Sequence, residues 1–174
     1  MVAKKKRTRG GALTVTMPSD CEVVMTRVFD APRRLVFEAW TRPEHVVQFF
    51  GPRGSTMPEC EIDLRASGTY RYVIRHKGKD VGTRGVYREI VRPERIVVVE
   101  GFDDFPDQES FVTTTFTEED GRTTLTSHIV YASAEARDAV VGMGMPEGAG
   151  EMFDRLAEHL RTKLQPQQAN PSGP

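Results

Sequence analysis

The sequence predicts an α+β domain in which a curved antiparallel sheet packs against one long helix near the C-terminal end. A strand-like segment at 21–29, CEVVMTRVF, precedes two short helical segments, and residues 56–131 consist of strand patterns separated by turn sequences. After Pro146 the apolar residues recur at three- and four-residue steps, as on one face of a helix. A curved sheet must bury its concave face, and this final helix is the only predicted element long enough to cover it.

Two short helices are predicted between the first strand and the rest of the sheet. Asp30 is predicted to cap the first helix, which Pro32 opens, because proline at the first helical position gives up an amide hydrogen that has no partner there. Pro43 starts the second helix, and the FFGP sequence at 49–52 ends it.

The sheet is predicted to contain seven strands, counting the first one and MPECEI at 57–62. TYRYVIR at 69–75 has Tyr70 and Tyr72 alternating with mostly charged residues, which predicts a strand with one buried face. Sequences that contain glycine or proline, such as HKGKD, RPE and EEDGR, are predicted to form the turns.

The last part of the domain is predicted to be helical. Ser133 is a favourable cap for the segment AEARDAVV at 134–141. A long amphipathic helix follows, and its apolar positions are Met152, Phe153, Leu156, Leu160 and Leu164.

Length and composition predict one folded domain at 19–165, with a disordered basic tail at 1–18 and a disordered tail at 166–174. The first ten residues carry five of the 24 Lys and Arg residues, so the remainder has 19 against 25 acidic residues and a net charge of −6. An acidic body disfavours nucleic-acid binding through the folded domain, because phosphate binding needs a positive face.

Membrane and secretory segments are not evident in the sequence. No apolar stretch approaches the roughly 20 residues of a membrane span, and no stretch has the length of a signal-peptide core. A cytoplasmic location is therefore expected.

Four segments resemble a known superfamily in their order and spacing: RVFDAPRRLVFEAWTRPEHVVQFFGP (27–52), EIDLRASGTYRYVIR (61–75), GVYREIVRPERIV (85–97) and YASAEARDAVVGMGMPEGAGEMFDRLAEHL (131–160). They resemble the SRPBCC superfamily, also called START-like or Bet v allergen-like, and within it the subgroup named after the activator of heat-shock-protein ATPase homologue. The resemblance implies a helix-grip fold: a curved seven-stranded antiparallel sheet wrapped around the C-terminal helix, with two short helices after the first strand and a hydrophobic cavity between sheet and helix.

Two positions differ from many members of this subgroup. Many have a Trp-Trp pair before Gly-Pro where this chain has Phe49 and Phe50, and many have a Gly-Trp in the final helix where this chain has Gly148 and Ala149. The second difference removes bulk from the helix face that is expected to line the cavity, which favours a roomier pocket or a different ligand shape.

The candidate ligand-binding residues are aromatic and flexible apolar side chains together with two polar ones. The two short helices are expected to close one end of the cavity, and the glycine- and methionine-rich segment at 142–152 is expected to form a soft wall beside it. The candidates are Trp40, Phe49, Phe50, Tyr70, Tyr72, Glu100, Phe102, Thr114, Phe116, Met143, Met145, Ala149, Met152 and Phe153.

Glu100 is the carboxyl candidate for acid or base chemistry, because it ends the apolar strand IVVVE and a buried carboxyl has a raised pKa. Thr114 is expected to offer a hydroxyl inside the cavity. The sequence has no nucleophile elbow, Walker loop or HExxH motif, and its four histidines are scattered, so neither a metal nor a cofactor is expected.

The expected function is the binding of a small hydrophobic or aromatic ligand for sequestration, transport or sensing. Two alternatives remain open: a cyclase-, dehydratase- or hydrolase-type enzyme that uses Glu100 or a hydroxyl of Tyr70 or Tyr72, and a co-chaperone of a heat-shock-protein ATPase in a stress response, which the subgroup name implies. The missing catalytic motifs favour binding over catalysis. The chain is expected to be a monomer or a homodimer.

Overall fold

An open antiparallel sheet of eight strands and four helices make up residues 11–164, the part of the chain that the computed structural model describes. The class is α+β, and the arrangement is consistent with a helix-grip fold. In chain order the elements are β1 (Thr14–Thr16), β2 (Glu22–Phe29), α1 (Arg33–Thr41), α2 (Pro43–Phe49), β3 (Thr56–Ile62), β4 (Thr69–His76), β5 (Lys79–Val91), β6 (Arg95–Phe102), β7 (Glu109–Glu119), β8 (Arg122–Tyr131), α3 (Ala134–Gly142) and α4 (Met145–His159), which continues as a π-helical segment (Leu160–Leu164).

The strand order across the sheet is β1-β2-β8-β7-β6-β5-β4-β3, and every neighbouring pair is antiparallel. All neighbours except β2 and β8 are consecutive in sequence. After β2 the chain passes through α1 and α2 and reaches β3 at the far edge of the sheet. These two helices therefore connect opposite sides of the sheet.

The short strand β1 differs from the prediction of seven strands and of a disordered segment at 1–18. Thr14–Thr16 pairs with Val24, Met25 and Thr26 of β2. Antiparallel pairing needs only backbone donors and acceptors, and β-branched residues suit an extended chain, so three residues pair without the longer alternation that strand prediction relies on. The parts of the two predicted tails at 1–10 and 166–174 lie outside the described residues.

The two outer strands of the described sheet are short or irregular. β1 has only three residues. At the opposite edge, β3 contains Pro58, and its register with β4 shifts between Thr56 and Glu59. Because proline has no amide hydrogen to donate, β3 offers an interrupted row of backbone hydrogen-bonding groups.

The alternation of side chains determines which face of the sheet is buried. In β8, Leu125 and Ile129 are buried, and the residues between the buried ones remain partly exposed. Tyr70 and Tyr72 of β4 are 7% and 6% exposed, which confirms the half-buried strand predicted for TYRYVIR. The buried face of the sheet and the helices enclose one hydrophobic core.

The middle of α4 is anchored to this core. The ring of Phe153 is completely buried, and its centroid lies 6.1 Å from that of Phe29 in β2 and 5.8 Å from that of Trp40 in α1. The next residue of α4, Asp154, forms an ion pair with the buried guanidinium of Arg27 at 2.5 Å. One turn of α4 thus makes both apolar and charged contacts with β2.

The predicted starts of two helices are confirmed. The Ser133 side chain accepts a hydrogen bond of 3.1 Å from the backbone N–H of Ala136, as expected of an N-terminal cap of α3. Pro43 is the first residue of α2. Among the described residues, no helix has the length and hydrophobicity needed to cross a membrane.

The start of α1 differs from the prediction that Asp30 caps a helix opened by Pro32. The N-cap position of α1 is Pro32, one residue before the first helical residue, Arg33. The side chain of Pro32 forms no capping hydrogen bond. A carboxylate oxygen of Glu118, on β7, instead accepts a hydrogen bond of 2.8 Å from the backbone N–H of Arg33. A group distant in sequence therefore fills the role that a local residue was expected to fill.

Replacing the central aromatic residue of α4 tests this anchoring. Phe153→Ala is expected to lower the free energy of unfolding by about 3–5 kcal/mol, because it leaves a cavity among packed rings. Phe111→Ala, at a side chain that is 46% exposed, is the matched control and is expected to cost less than about 1 kcal/mol. Urea unfolding followed by circular dichroism measures both, and similar losses in the two variants would contradict the anchoring role.

Candidate functional site

A cavity with two adjoining chambers lies between the buried face of the sheet and the helices. The inner chamber has a volume of about 130 Å³ and the outer chamber about 630 Å³. The two chambers share five lining residues, which are Met25, Phe50, Glu100, Ile129 and Met152. We treat them as one candidate site.

Contacting aromatic rings form part of the wall of the inner chamber. The ring centroid of Trp40 lies 5.9 Å from that of Phe49 and 6.4 Å from that of Phe50, and Phe50 lies 5.0 Å from Tyr72 of β4. These offset and tilted contacts are the arrangements that aromatic side chains prefer. The aromatic residues concentrated between 37 and 50 therefore join α1 and α2 to the sheet.

Arg155 of α4 holds the turn that follows α2. Its guanidinium donates hydrogen bonds to the backbone carbonyl oxygens of Gln48, Gly51 and Pro52 at 3.1, 3.0 and 3.1 Å. Burial lowers the pKa of Arg155 from its ordinary value, and the three carbonyl oxygens compensate for the lost hydration. Gly51 takes a left-handed conformation, with φ 96°. Phe50, Gly51 and Pro52 all line the outer chamber, so the hydrogen bonds from Arg155 hold this part of the cavity wall in place.

The outer chamber is bounded mainly by apolar side chains and by glycine. Met143, Met145 and Met152 line it from the α3–α4 region, and Met143 is 63% exposed at the surface. Gly148 also lines it, and a side chain added there would meet no atom within 4 Å. The first turns of α4 therefore leave space where other helices would place side chains.

Glu100 places a carboxyl group where the two chambers meet. The Tyr70 hydroxyl donates a hydrogen bond of 2.5 Å to Oε2 of Glu100. Burial raises the pKa of the Glu100 carboxyl above its ordinary value, and the hydrogen bond from Tyr70 partly opposes this effect. Burial and the neighbouring carboxylate together raise the pKa of Tyr70, so its hydroxyl remains a donor.

Gly85 makes the contact between Tyr70 and Glu100 possible. In the sheet register Gly85 lies opposite Tyr70 on one side and opposite Glu100 on the other. The Tyr70 ring crosses over Gly85, and a Cβ atom at this position would lie 2.2 Å from Cε1 and 2.4 Å from Cζ of that ring. Only glycine leaves the space for Tyr70 to reach across β5 to β6.

Eleven of the candidate residues line one or both chambers, and three do not. Phe49, Phe116 and Phe153 lie in the packed core, at 0%, 1% and 0% exposure, because each packs against other aromatic rings. The residues that line a chamber are Trp40, Phe50, Tyr70, Tyr72, Glu100, Phe102, Thr114, Met143, Met145, Ala149 and Met152.

Several residues that line the chambers were not predicted from the sequence. Met25, Tyr87, Ile129 and Tyr131 belong to the inward-facing rows of β2, β5 and β8. The period-two alternation of these strands was a usable signal for them. The sequence carries no comparable signal for Gly85, whose role depends on a ring from the neighbouring strand.

The space above Gly85 can be tested by filling it. Gly85→Ala is expected to lower the free energy of unfolding by about 1–3 kcal/mol, because the added methyl group displaces the Tyr70 ring. Gly101→Ala is the matched control, since a Cβ atom there would make only ordinary contacts, the nearest at 3.4 Å. Urea unfolding of both variants, repeated in a Tyr70→Ala background, should show the cost of Gly85→Ala disappearing; a cost that persists would place its cause elsewhere.

The raised pKa of Glu100 predicts a pH dependence of stability. The folded protein binds a proton at Glu100 more tightly than the unfolded chain does, so this stabilisation is present below the ordinary carboxyl pKa of about 4 and is lost as the pH rises through the raised folded value. The free energy of unfolding of the wild type minus that of Glu100→Gln should therefore fall as pH rises.

Urea unfolding at several pH values measures this difference. Glu61→Gln, at an exposed residue of β3, is the matched control for the loss of a surface carboxylate. The fall of the difference with pH should be larger for Glu100→Gln than for Glu61→Gln. If the free energy of unfolding changed with pH in the same way for the wild type and for Glu100→Gln, the expected effect of burial on the charged form of Glu100 would be contradicted.

Comparisons with known proteins agree with this fold. The family described as Activator of Hsp90 ATPase homolog 1-like protein matches residues 30–161. Protein Ms6760 from Mycobacterium smegmatis is 28% identical with a TM-score of 0.79, and the similarity covers 87% of this chain and 98% of that one. A protein from Rhodobacter sphaeroides is 26% identical with a TM-score of 0.79, covering 87% of this chain and 99% of that one.

At lower identity the likeness extends to the fold alone. Protein NE0264 from Nitrosomonas europaea is 20% identical with a TM-score of 0.75, and the similarity covers 85% of this chain and 99% of that one. No curated protein matches the chain. The family match spans well over half of the 174 residues and confirms the resemblance described above, so the chain belongs to the Activator of Hsp90 ATPase homolog 1-like family of the SRPBCC superfamily.

Proposed function

We propose that this protein binds a small hydrophobic or aromatic molecule in the two-chamber cavity. The observation that carries the proposal is the outer chamber of about 630 Å³, which is bounded mostly by apolar residues and adjoins the aromatic inner chamber. This volume lies within the range of roughly 300–1,000 Å³ that is usual for small-molecule sites. Family membership supports the proposal, because the SRPBCC fold is typically a ligand-binding fold.

The composition of the walls favours an apolar ligand. Side chains around an empty apolar space lack contacts on one side, so an occupant of similar polarity gains dispersion energy and removes apolar surface from water. Met143, Met145 and Met152 have flexible, polarisable side chains that adapt to ligands of different shape. Sequestration, transport or sensing of such a molecule requires no further chemistry from the chain.

Fluorescence from the single tryptophan provides a direct test, because Trp40 lines the inner chamber. N-phenyl-1-naphthylamine, a neutral aromatic dye that brightens in apolar surroundings, is the probe. Binding should quench Trp40 emission and produce dye emission by energy transfer when the tryptophan is excited. The titration should saturate at one or two dye molecules per chain.

Two glycine positions on α4 supply a matched pair of variants. Gly148→Leu places a side chain in the outer chamber, whereas Gly150→Leu, two residues later, has equally open surroundings but does not line either chamber. Dye affinity should fall by about tenfold or more in Gly148→Leu, since a leucine fills part of the space, and should be retained in Gly150→Leu. Equal affinity in both variants, or no energy transfer in the wild type, would contradict binding in the cavity.

Native mass spectrometry of freshly purified protein complements the titration. A copurified apolar molecule at near-stoichiometric occupancy would identify the chemical class of the ligand, and its loss in Gly148→Leu but not in Gly150→Leu would assign it to the outer chamber.

A further inference from the structure

Glu100 is the only carboxyl or cationic side chain that lines the inner chamber within the described residues. It also lines the outer chamber, where the other charged or titratable groups are His76, Lys79, Asp104 and Tyr131. Lys79 and Asp104 are exposed to solvent. Glu100 is the one polar side chain among the five described residues that both chambers share, so it determines the polarity of the region where they meet.

The Glu100 carboxyl has one hydrogen-bond donor from the described part of the chain, the Tyr70 hydroxyl at Oε2. Among the described residues, Nε of Arg27 is the only fully buried side-chain nitrogen or oxygen that lacks a hydrogen-bond partner. The second oxygen, Oε1 of Glu100, is therefore accessible, and the spaces that Glu100 borders are the two chambers and a smaller recess beside Phe105 and Tyr131. A carboxylate oxygen is a hydrogen-bond acceptor only, so this atom requires a donor from whatever fills the cavity.

The tyrosines around Glu100 are not alternative carriers of negative charge. Tyr131 also lines the outer chamber, and burial together with the Glu100 carboxylate raises the pKa of Tyr131 to about 12. Burial likewise raises the pKa values of Tyr70 and Tyr72, so all three hydroxyls stay protonated near neutral pH. Among the five described residues that both chambers share, Glu100 is consequently the one whose side chain can carry a charge.

We propose that the ligand is an apolar molecule with one N–H or O–H donor, such as an amine, an alcohol or a phenol, and that Oε1 of Glu100 accepts this donor. The proposal rests on the ligand-binding function proposed above and deepens it. Glu100 acts as the residue that determines specificity, Tyr70 orients the carboxyl, and Gly85 gives Tyr70 the space to do so.

The electrostatics of the site distinguish donors from acceptors. A cationic amine would neutralise a carboxylate that burial destabilises, and a hydroxyl would supply the missing hydrogen bond. A ligand whose only polar group is a carboxylate would bring two acceptor-only groups together and would be rejected.

Four probes with the same naphthalene body test this selectivity by isothermal titration calorimetry at pH 7.5. They are 1-naphthalenemethylamine, 1-naphthalenemethanol, 1-methylnaphthalene and 1-naphthoic acid. A hydrogen bond to a charged acceptor corresponds to an affinity gain of about tenfold or more, so the amine and the alcohol should bind at least that much more tightly than the methyl compound. The acid should bind most weakly.

Glu100→Gln removes the charge, and the exposed Glu61→Gln is the matched control. The preference for the amine over the methyl compound should fall to less than about threefold in Glu100→Gln and should be unchanged in Glu61→Gln, since the charge–donor interaction accounts for most of it. Thermal unfolding establishes that each variant is folded. If Glu100→Gln does not fold, the order of the four probe affinities for the wild type still tests the donor requirement.

The possible results separate this proposal from the function on which it rests. If none of the four probes binds the wild type, ligand binding itself is overturned. If the methyl compound binds as tightly as the amine and the alcohol, ligand binding stands and the donor requirement fails. If Glu100→Gln folds and retains the full preference, the donor is accepted elsewhere and the role of Glu100 is overturned.

Discussion

The inner face of the sheet is larger than the helices that cover it, and this mismatch determines where the cavity lies. Eight strands spaced about 4.8 Å apart make a sheet more than about 30 Å wide, whereas one helix with its side chains is about 10–12 Å across. The helix α4 has 15 residues, and Gly144, Gly148 and Gly150 around its first turns contribute no side-chain volume. The chambers lie in the space that remains between α4, the two short helices and the sheet.

A domain with a cavity of this size needs specific contacts to hold its helices in place. Phe153 packs α4 against β2 and α1, Arg155 binds the carbonyl oxygens of the turn after α2, and Glu118 caps the start of α1. Each contact joins elements that are far apart in the chain. Together they fix the cavity walls at a few points and leave the glycine-rich segment between those points without close side-chain packing.

Local sequence patterns were sufficient to predict the fold, but they did not predict much of the candidate site. Alternation in TYRYVIR and helical periodicity after residue 146 identified the sheet and α4, because the periods of strands and helices are set by backbone geometry. The same patterns placed Phe49, Phe116 and Phe153 on inward faces but could not tell packed core from cavity wall, since that difference depends on the volume left by all neighbours. The roles of Gly85, Arg155 and Glu118 depend on partners 15 to 107 residues away, which no local pattern reveals.

The shapes of the outermost strands bear on how copies of this chain meet. A long, regular edge strand can extend its ladder into a neighbouring molecule, which is a common route to aggregation. On one side the three residues of β1 offer a very short template, and on the other Pro58 and the shifted register of β3 interrupt the ladder. Joining of sheets edge to edge is therefore disfavoured at both ends of the described sheet, and an open sheet that never closes into a barrel is protected from forming continuous intermolecular strands.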